Sequence, residues 1–168
     1  MKSLNPDFRD LLNCLNSAGV RYLVIGGYAV NFYGLHRNTK DIDIWIALEP
    51  ENAKRISRAL QEFGFAATSV PASKFKDRKA VHAFGREPFR VDLITDPDGV
   101  EFESCYKNRV VADLDAIKIP FISLADLRAN KLASGRLRDL DDAEQLERDA
   151  KKPAGKRSKR KRDRQNGK

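Results

Sequence analysis

Two aspartates that lie two residues apart, Asp41 and Asp43, are residues whose type and spacing could do chemistry. They belong to the run Asp41 to Leu48, in which isoleucines at every second position indicate a strand with one buried face. Residues two apart on a strand project to the same side, so the two carboxylates would repel each other. A divalent cation would keep both ionised, and hard oxygen ligands suit Mg²⁺ or Mn²⁺. Taken alone, the pattern is weak, because a solvated strand face that carries two acids is more common.

A third carboxylate and a pair of glycines strengthen the metal hypothesis. Asp92 lies in another predicted strand, Phe89 to Thr95, and an antiparallel neighbour could bring it beside the first two acids. Gly26 and Gly27 end a short apolar strand and precede a predicted helix. Bare backbone N–H groups at such a position can hold phosphate oxygens, although an ordinary tight turn also fits the pair. Together these features predict a phosphate-binding loop followed by a metal-binding strand.

These residues resemble the nucleotidyltransferase signature of the DNA polymerase beta superfamily. That signature is a hydrophobic residue, Gly and Gly or Ser, a spacer, and Asp-hydrophobic-Asp-hydrophobic. The chain has Ile25-Gly26-Gly27, thirteen residues, and then Asp41-Ile42-Asp43-Ile44. The run Arg37-Asn38-Thr39-Lys40-Asp41-Ile42-Asp43 is similar to a variant found in small prokaryotic nucleotidyltransferases, including those of abortive-infection and toxin–antitoxin systems. The segment Leu124 to Asp142 resembles the lysine-bearing helix and Gly-Arg turn common in that group.

The resemblance implies transfer of a nucleoside monophosphate from an NTP to a hydroxyl acceptor in RNA, protein or a small molecule, with release of pyrophosphate. It implies that Asp41 and Asp43 hold two divalent cations, Mg²⁺ or Mn²⁺. Asp92 would ligate the catalytic cation and help to deprotonate the acceptor hydroxyl. Two metals bridged by acids can stabilise both the attacking and the leaving oxygen of such a displacement. The sequence thus predicts an enzyme with three catalytic, metal-ligating carboxylates.

Nucleotide binding is predicted for five further residues, which are Gly26, Gly27, Arg37, Lys131 and Arg136. The glycines would seat the triphosphate, while Arg can grip phosphate bidentately and Lys binds it as a point charge. Each of the three cations is also open to interpretation as a surface or helix-capping residue. Trp45 shares the acidic face of its strand by alternation, where it would either stack near a base or cover the sheet.

The elements that must position these residues alternate without the strict rhythm of a parallel sheet. Apolar spacing, caps and breakers predict helices between Asn5 and Gly19, at 28–33, 50–63 and 124–134, and around 139–149. Strands are predicted at 22–25, 41–48, 80–84, 89–95 and 116–122. The third and fourth strands form a hairpin, and the last is an edge strand because it contains Pro120. This pattern favours an α+β (mixed α/β) fold, with a mixed twisted sheet flanked by helices.

The formal charge of +8 is concentrated at one end of the chain. Residues 151–168 hold ten lysines and arginines against the single acid Asp163, whereas the preceding residues are about neutral. With Ala154 as its one apolar residue, this segment cannot bury enough surface to fold. We predict a nucleotidyltransferase-like domain at 1–150 and a disordered basic tail at 151–168. The tail is either a solubility extension or an arm that binds RNA or an acidic partner protein through phosphates or carboxylates.

Length and composition exclude several classes of protein. The 168 residues, 41% hydrophobic and 33% charged, suffice for a buried core without disulfides. Cys14 and Cys105 lack metal-ligand spacing and are predicted to be structural thiols. The sequence has no apolar run near the ~20 residues that cross a bilayer, and no apolar signal segment among the first ten residues. We therefore expect a cytoplasmic protein that does not bind a membrane.

A non-catalytic module is the alternative that the sequence leaves open. In this alternative the fold retains a nucleotide site, while the basic tail holds RNA or an acidic protein, for example as one half of a toxin–antitoxin pair. Metal-dependent NTP binding that leads to no transfer would favour it.

Overall fold

A six-stranded mixed sheet with helices around it forms the centre of the computed structural model, which describes residues 4–86 and 89–150. Its helices are α1 (Pro6–Ser17), α2 (Gly26–Phe32), α3 (Pro50–Phe63), α4 (Phe102–Lys107), α5 (Leu124–Ser134) and α6 (Leu137–Ala150). Its strands are β1 (Tyr22–Ile25), β2 (Asp41–Ile46), β3 (Val81–Arg86), β4 (Phe89–Ile94), β5 (Val110–Leu114) and β6 (Ile117–Phe121). The predicted fold class is confirmed. The predicted basic tail at 151–168 and the hairpin turn at 87–88 lie outside the described residues.

Local signals account for the first helix. The side chain of Asn5 accepts a hydrogen bond from the backbone N–H of Asp7, and Pro6 occupies the first turn. Apolar residues three and four apart then place one face of α1 in the core. That buried face consists of Phe8, Leu11, Leu12 and Leu15.

The pairing of the central strands positions the acidic residues. In the sheet order β3-β4-β2-β1-β6-β5, β2 is antiparallel to β1 and parallel to β4. The register places Asp43 opposite Asp92 and Asp41 opposite Arg90. The prediction of an antiparallel neighbour for Asp92 on the β2 side was wrong. The connection from β2 through α3 and β3 is long enough to return the chain in the parallel sense, and β3 supplies the antiparallel hairpin partner of β4.

The prediction that Pro120 lies on an edge strand was also wrong, because β6 lies between β1 and β5. Its pairing with β1 is confined to Phe121, beside which the N–H of Ile122 donates to the carbonyl of Val24 at 3.1 Å. Pro120 has no N–H to donate, but its position lies outside this short ladder, so no hydrogen bond to β1 is lost. Strand β5, which was not predicted, forms the edge instead.

Trp45 covers the sheet and belongs to its packed interior. The side chain is 1% exposed and meets the ring of Phe102 edge-on, with ring centroids 5.2 Å apart. Its Nε1–H donates to the backbone carbonyl of Thr95 at 3.2 Å, which satisfies the buried indole. Of the two roles left open by the sequence, the structure therefore supports packing.

None of the described helices has the length and apolar character needed to cross a bilayer.

Candidate active site

Three carboxylates lie together on the two central parallel strands. Asp41 and Asp43 project from β2, and Asp92, which is 9% exposed, lies on β4 at the position paired with Asp43. The pKa of Asp43 is raised to about 6, mainly by burial. The negative charge of Asp92 is the next largest cause, and that of Asp41 contributes less. A hydrogen bond from the backbone of Gly27 opposes this shift. The register thus places Asp43 beside Asp92, and Asp41 lies two residues before Asp43 on the same strand, opposite Arg90.

The chemistry of these oxygen donors fits a divalent cation. Oδ1 of Asp41 is buried and has no hydrogen-bond partner among the described residues, while Asp43 carries a strongly disfavoured charge. A bound cation would compensate both. Oδ1 of Asp92 is already engaged, because it accepts a hydrogen bond from Nε of Arg90 at 2.8 Å. Within 4–86 and 89–150, no three acidic, histidine or cysteine side chains converge as in a closed metal site. Asp41 thus keeps an oxygen without a partner, and Asp43 keeps a charge that its one hydrogen bond from Gly27 does not fully compensate.

The two glycines let the chain pass close to the acidic strand. Gly26 has φ +60°, and a Cβ at this position would lie 1.9 Å from Oδ2 of Asp43. A Cβ on Gly27 would lie 2.8 Å from Oγ1 of Thr39, whose hydroxyl donates to the carbonyl of Asp41 at 3.0 Å. Both glycines belong to the first turn of α2, which was predicted to begin two residues later. Their lack of side chains therefore shapes the acidic site itself.

A cleft of about 550 Å³ opens between these strands and the two C-terminal helices. Its lining includes every predicted site residue except Asp92, namely Gly26, Gly27, Arg37, Asp41, Asp43, Lys131 and Arg136. The rest of the lining includes charged residues that were not predicted. These are Lys79, Asp96, Asp98, Arg138 and Asp139. The cleft therefore brings acids of the sheet and cations of the helices to one space.

The predicted phosphate-binding cations are partly buried in ion pairs. Lys131 is 4% exposed; its Nζ donates to Oδ1 of Asp139 at 2.6 Å and forms an ion pair with Oδ2 of Asp142 at 2.8 Å. Nη1 of Arg37 donates to the same oxygen of Asp142. These contacts exclude a purely surface role for Arg37 and Lys131. Arg136 is exposed at the cleft, as a surface residue would be.

Asp139 and Asp142 are site residues that sequence reasoning missed. Burial alone would raise the pKa of Asp139, but hydrogen bonds from Lys131 and Ser134 outweigh burial and lower it. The available signal was their spacing, since residues three apart on a helix share a face. In an acid-rich helix such as α6, that spacing does not distinguish a buried pair from a solvated one.

The fold is that of a nucleotidyltransferase. It resembles a protein assigned as a nucleotidyltransferase from Thermotoga maritima (19% identity, 88% of this chain and 94% of that chain, TM-score 0.52). It also resembles the lincosamide antibiotic adenylyltransferase LnuA with lincomycin bound (16% identity, 88% and 98%, TM-score 0.54). A third similar structure is an antigenic nucleotidyltransferase-like protein from Paracoccidioides brasiliensis (15% identity, 83% and 74%, TM-score 0.50).

The sequence match is more specific. Residues 7–146 match the model of the aminoglycoside-2''-adenylyltransferase family, and the chain belongs to this family. A comparison with curated protein sequences finds no significant match. Membership of the nucleotidyltransferase superfamily is therefore confirmed, whereas the abortive-infection or toxin–antitoxin type stays a prediction.

Proposed function

We propose that this protein is a divalent-metal-dependent adenylyltransferase that transfers AMP from ATP to a hydroxyl group of a small molecule and releases pyrophosphate. The observation that carries this proposal is the buried oxygen of Asp41 that has no hydrogen-bond partner among the described residues, beside Asp43 in a cleft that Arg37 and Lys131 also line. The description of the matched family supports adenylyl transfer as the reaction.

The residues of the cleft divide the chemistry between them. Mg²⁺ or Mn²⁺ held by Asp41, Asp43 and Asp92 would stabilise the negative charge that develops on the phosphoryl oxygens. Lys131 has three N–H donors and donates one hydrogen bond to Asp139 while it forms an ion pair with Asp142, so N–H capacity remains for a phosphate oxygen.

Transfer requires an in-line displacement at the α-phosphorus of ATP. A bond forms from the acceptor oxygen, and the bond to the oxygen of the β-phosphate breaks. Pyrophosphate leaves with the electron pair of that bond. The hydroxyl proton passes to a carboxylate, a role that we assign to Asp92. Arg37 and Lys131 neutralise the charge of the triphosphate, Gly26 and Gly27 allow its close approach, and Arg136 is a further phosphate contact.

The acceptor that we propose is an aminoglycoside. The matched family is described by this class of acceptor, and LnuA, which shares the fold, is described with another hydroxyl-bearing antibiotic bound. Aminoglycosides carry several ammonium groups. Asp96 and Asp98 line the same cleft, where carboxylates can pair with such groups.

The experiment incubates the full chain with ATP, Mg²⁺ and three acceptors in turn: aminoglycosides with or without a free 2''-hydroxyl, a lincosamide, and RNA. Pyrophosphate release and the mass of the acceptor are measured. We expect an AMP adduct only on aminoglycosides that carry the hydroxyl, and no adduct with EDTA or with Asp41→Asn or Asp43→Asn. Asp10→Asn, an exposed acid on α1, is the matched control. Full activity of Asp43→Asn would refute the assignment of the site, and adducts on RNA alone would refute the acceptor.

One observation favours a second candidate, a non-catalytic nucleotide-binding module. The hydrogen bond from Arg90 engages Asp92, the residue to which the proton transfer is assigned. Calorimetric binding of ATP that requires Mg²⁺, without pyrophosphate release for any acceptor, would support this candidate.

The tail adds a separate proposal. We propose that residues 1–150 form the transferase domain and that 151–168 extend it as a basic arm. Measuring RNA binding at low salt after deletion of 151–168 tests the arm, and unchanged affinity would exclude the arm as the RNA-binding segment.

A toxin–antitoxin role requires a cognate partner chain, which co-purification would test.

A further inference from the structure

One buried carboxylate contacts both cations of the proposed phosphate site. Asp142, on α6, is 6% exposed. Its Oδ2 forms an ion pair with Nζ of Lys131 at 2.8 Å and accepts a hydrogen bond from Nη1 of Arg37. Lys131 comes from α5, and Arg37 comes from the segment between α2 and β2. A single oxygen atom therefore ties together three separate parts of the chain.

The cluster around this carboxylate is balanced in charge. Two cations, Arg37 and Lys131, face two anions, Asp142 and Asp139, and Oδ2 of Asp139 also accepts from the hydroxyl of Ser134 at 2.8 Å. Buried charges are tolerated when they are paired and hydrogen-bonded, and each of these has such partners. The cluster therefore holds its geometry before any ligand arrives.

Asp142 holds Arg37 from the side away from the acidic strand. The cleft of about 550 Å³ is lined by Arg37 and Lys131 but not by Asp142. Asp142 instead lines a second cavity of about 220 Å³, and Arg37 borders that cavity too. Arg37 thus lies between the two cavities. Its counter-ion Asp142 borders the smaller cavity, and the proposed triphosphate site lies in the larger one.

We propose that Asp142 is a positioning residue for the phosphate site, which orients Arg37 and Lys131 so that their remaining N–H groups face the triphosphate. This inference rests on the proposed function, in which both cations bind the triphosphate. Lysine and arginine side chains are long and lose much rotamer freedom when a ligand must order them. Asp142 removes that cost because it orders both side chains in the folded protein.

A positioning role and a simple counter-charge role predict opposite results when the charge of Asp142 is removed. If Asp142 only competed with phosphate for the cations, Asp142→Asn would leave a more positive site that binds anions more tightly. If Asp142 orients the cations, the same substitution weakens anion binding although the net positive charge rises.

The test measures binding of inorganic tripolyphosphate in the presence of Mg²⁺ by calorimetry, together with KM for ATP and kcat. We expect Asp142→Asn to raise the Kd for tripolyphosphate and KM for ATP about tenfold, with a smaller change in kcat. Asp139→Asn, which removes a partner of Lys131 but none of Arg37, should give a smaller increase. The matched control is Glu147→Gln, because the ion pair of Glu147 with Arg128 at 2.7 Å joins the same two helices outside the cleft. It should leave Kd and KM unchanged.

Tighter or unchanged tripolyphosphate binding by folded Asp142→Asn would overturn the inference. Circular dichroism establishes whether that variant folds. If it does not, Asp139→Asn decides: weaker binding supports the inference and unchanged binding overturns it. Failure of the proposed function is separable. Wild-type protein that binds tripolyphosphate in an Asp142-dependent way but transfers no AMP would refute the function alone, whereas transfer that is unaffected in Asp142→Asn would refute the inference alone.

Discussion

The sheet wall of the cleft, on β2, and the helix wall, on α5 and α6 with Asp142 behind it, both carry aspartates, but the helix wall compensates their charge more fully. On β2, Asp41 leaves a buried oxygen without a partner among the described residues, and Asp43 has a raised pKa. On α6, Asp139 and Asp142 accept hydrogen bonds from buried cations. The same chemical group therefore has two uses. On the proposed function, the carboxylates on β2 hold a cation, whereas the paired carboxylates on α6 hold side chains of the protein in place. Substitution of Asp by Asn should separate these uses.

The largest effect is expected for Asp43→Asn on the sheet wall. Loss of this ligand should lower the rate of AMP transfer about 10³-fold, the scale seen when a preorganised group that stabilises a transition state is removed. The free energy of unfolding in EDTA should nevertheless rise by about 1 kcal/mol, because a buried and repelled charge is removed. Pyrophosphate release and thermal melting check the two halves of this prediction.

The pH dependence of that stability gain sharpens the prediction. The pKa of Asp43 is raised from its ordinary value of 3.8 to about 6 in the folded protein, so the wild-type protein loses stability as pH rises from 3.8 to about 6, where the unfolded chain is ionised and the folded carboxyl still holds its proton. In EDTA, the melting temperatures of Asp43→Asn and wild type should therefore differ most above pH ~7 and converge below pH ~4. A difference that does not change with pH would contradict the assigned cause.

On the helix wall, the same change should have the opposite sign. Asp142→Asn leaves Arg37 and Lys131 facing a single charged partner in a buried setting, and removing one member of such a cluster costs about 3 kcal/mol. Glu147→Gln, which breaks a more exposed ion pair between the same helices, should cost less than ~1 kcal/mol. Urea denaturation measures both. Equal costs would mean that the cluster around Asp142 is no more buried in solution than a surface pair.

A pair of glycines tests how closely the backbone must approach the sheet wall. Gly26→Ala places a Cβ 1.9 Å from Oδ2 of Asp43, and Gly26 has φ +60°. Gly19, with φ +68°, has only an ordinary contact at 4.0 Å. Both substitutions carry the left-handed strain of about 1 kcal/mol, but only Gly26→Ala displaces Asp43. Activity should fall about 10²-fold in Gly26→Ala and stay near wild type in Gly19→Ala. Similar activities would show that Asp43 tolerates displacement.

The smallest effect concerns buried groups that carry no charge at neutral pH. Burial raises the pKa of Cys105 to about 11 and also raises that of Cys14, which is the more exposed thiol. Iodoacetamide at pH ~8 should therefore label both slowly, and Cys14 first, because the thiolate is the reacting form. Mass spectrometry of the labelled protein measures the order. Rapid labelling of Cys105 would show that this part of the core opens easily.

The sequence was sufficient to predict the sheet wall. Alternation along β2 predicts that Asp41 and Asp43 share a face, and β-propensity predicts the strand that carries Asp92. The parallel sense of β2 and β4 could not be read from the sequence, because it depends on the path of the intervening chain. Asp142 could not be predicted for a similar reason. Its partners are more than ten residues away in sequence, so local periodicity holds no information about them.

Elsewhere in the fold, too, features set by local sequence signals could be predicted, and features set by distant partners could not. Helix α5 was predicted with correct bounds because its signals are local: Ser123 accepts a hydrogen bond from the N–H of Asp126, and Gly135 ends the helix in a left-handed conformation. Strand β5 was missed because its residues are largely exposed and do not alternate clearly. The position of β6 was predicted wrongly because the cost of Pro120 depends on which neighbour the strand pairs with.

The register of β2 and β4 has a consequence for how such proteins diversify. Backbone hydrogen bonds between these strands set the spacing of Asp43 and Asp92, which are 49 residues apart in the chain. The segment that joins them can therefore grow, shrink or be exchanged without separating the two acids. On the proposed function, changes in that segment would alter the surroundings of the acceptor while Asp43 and Asp92 stay paired.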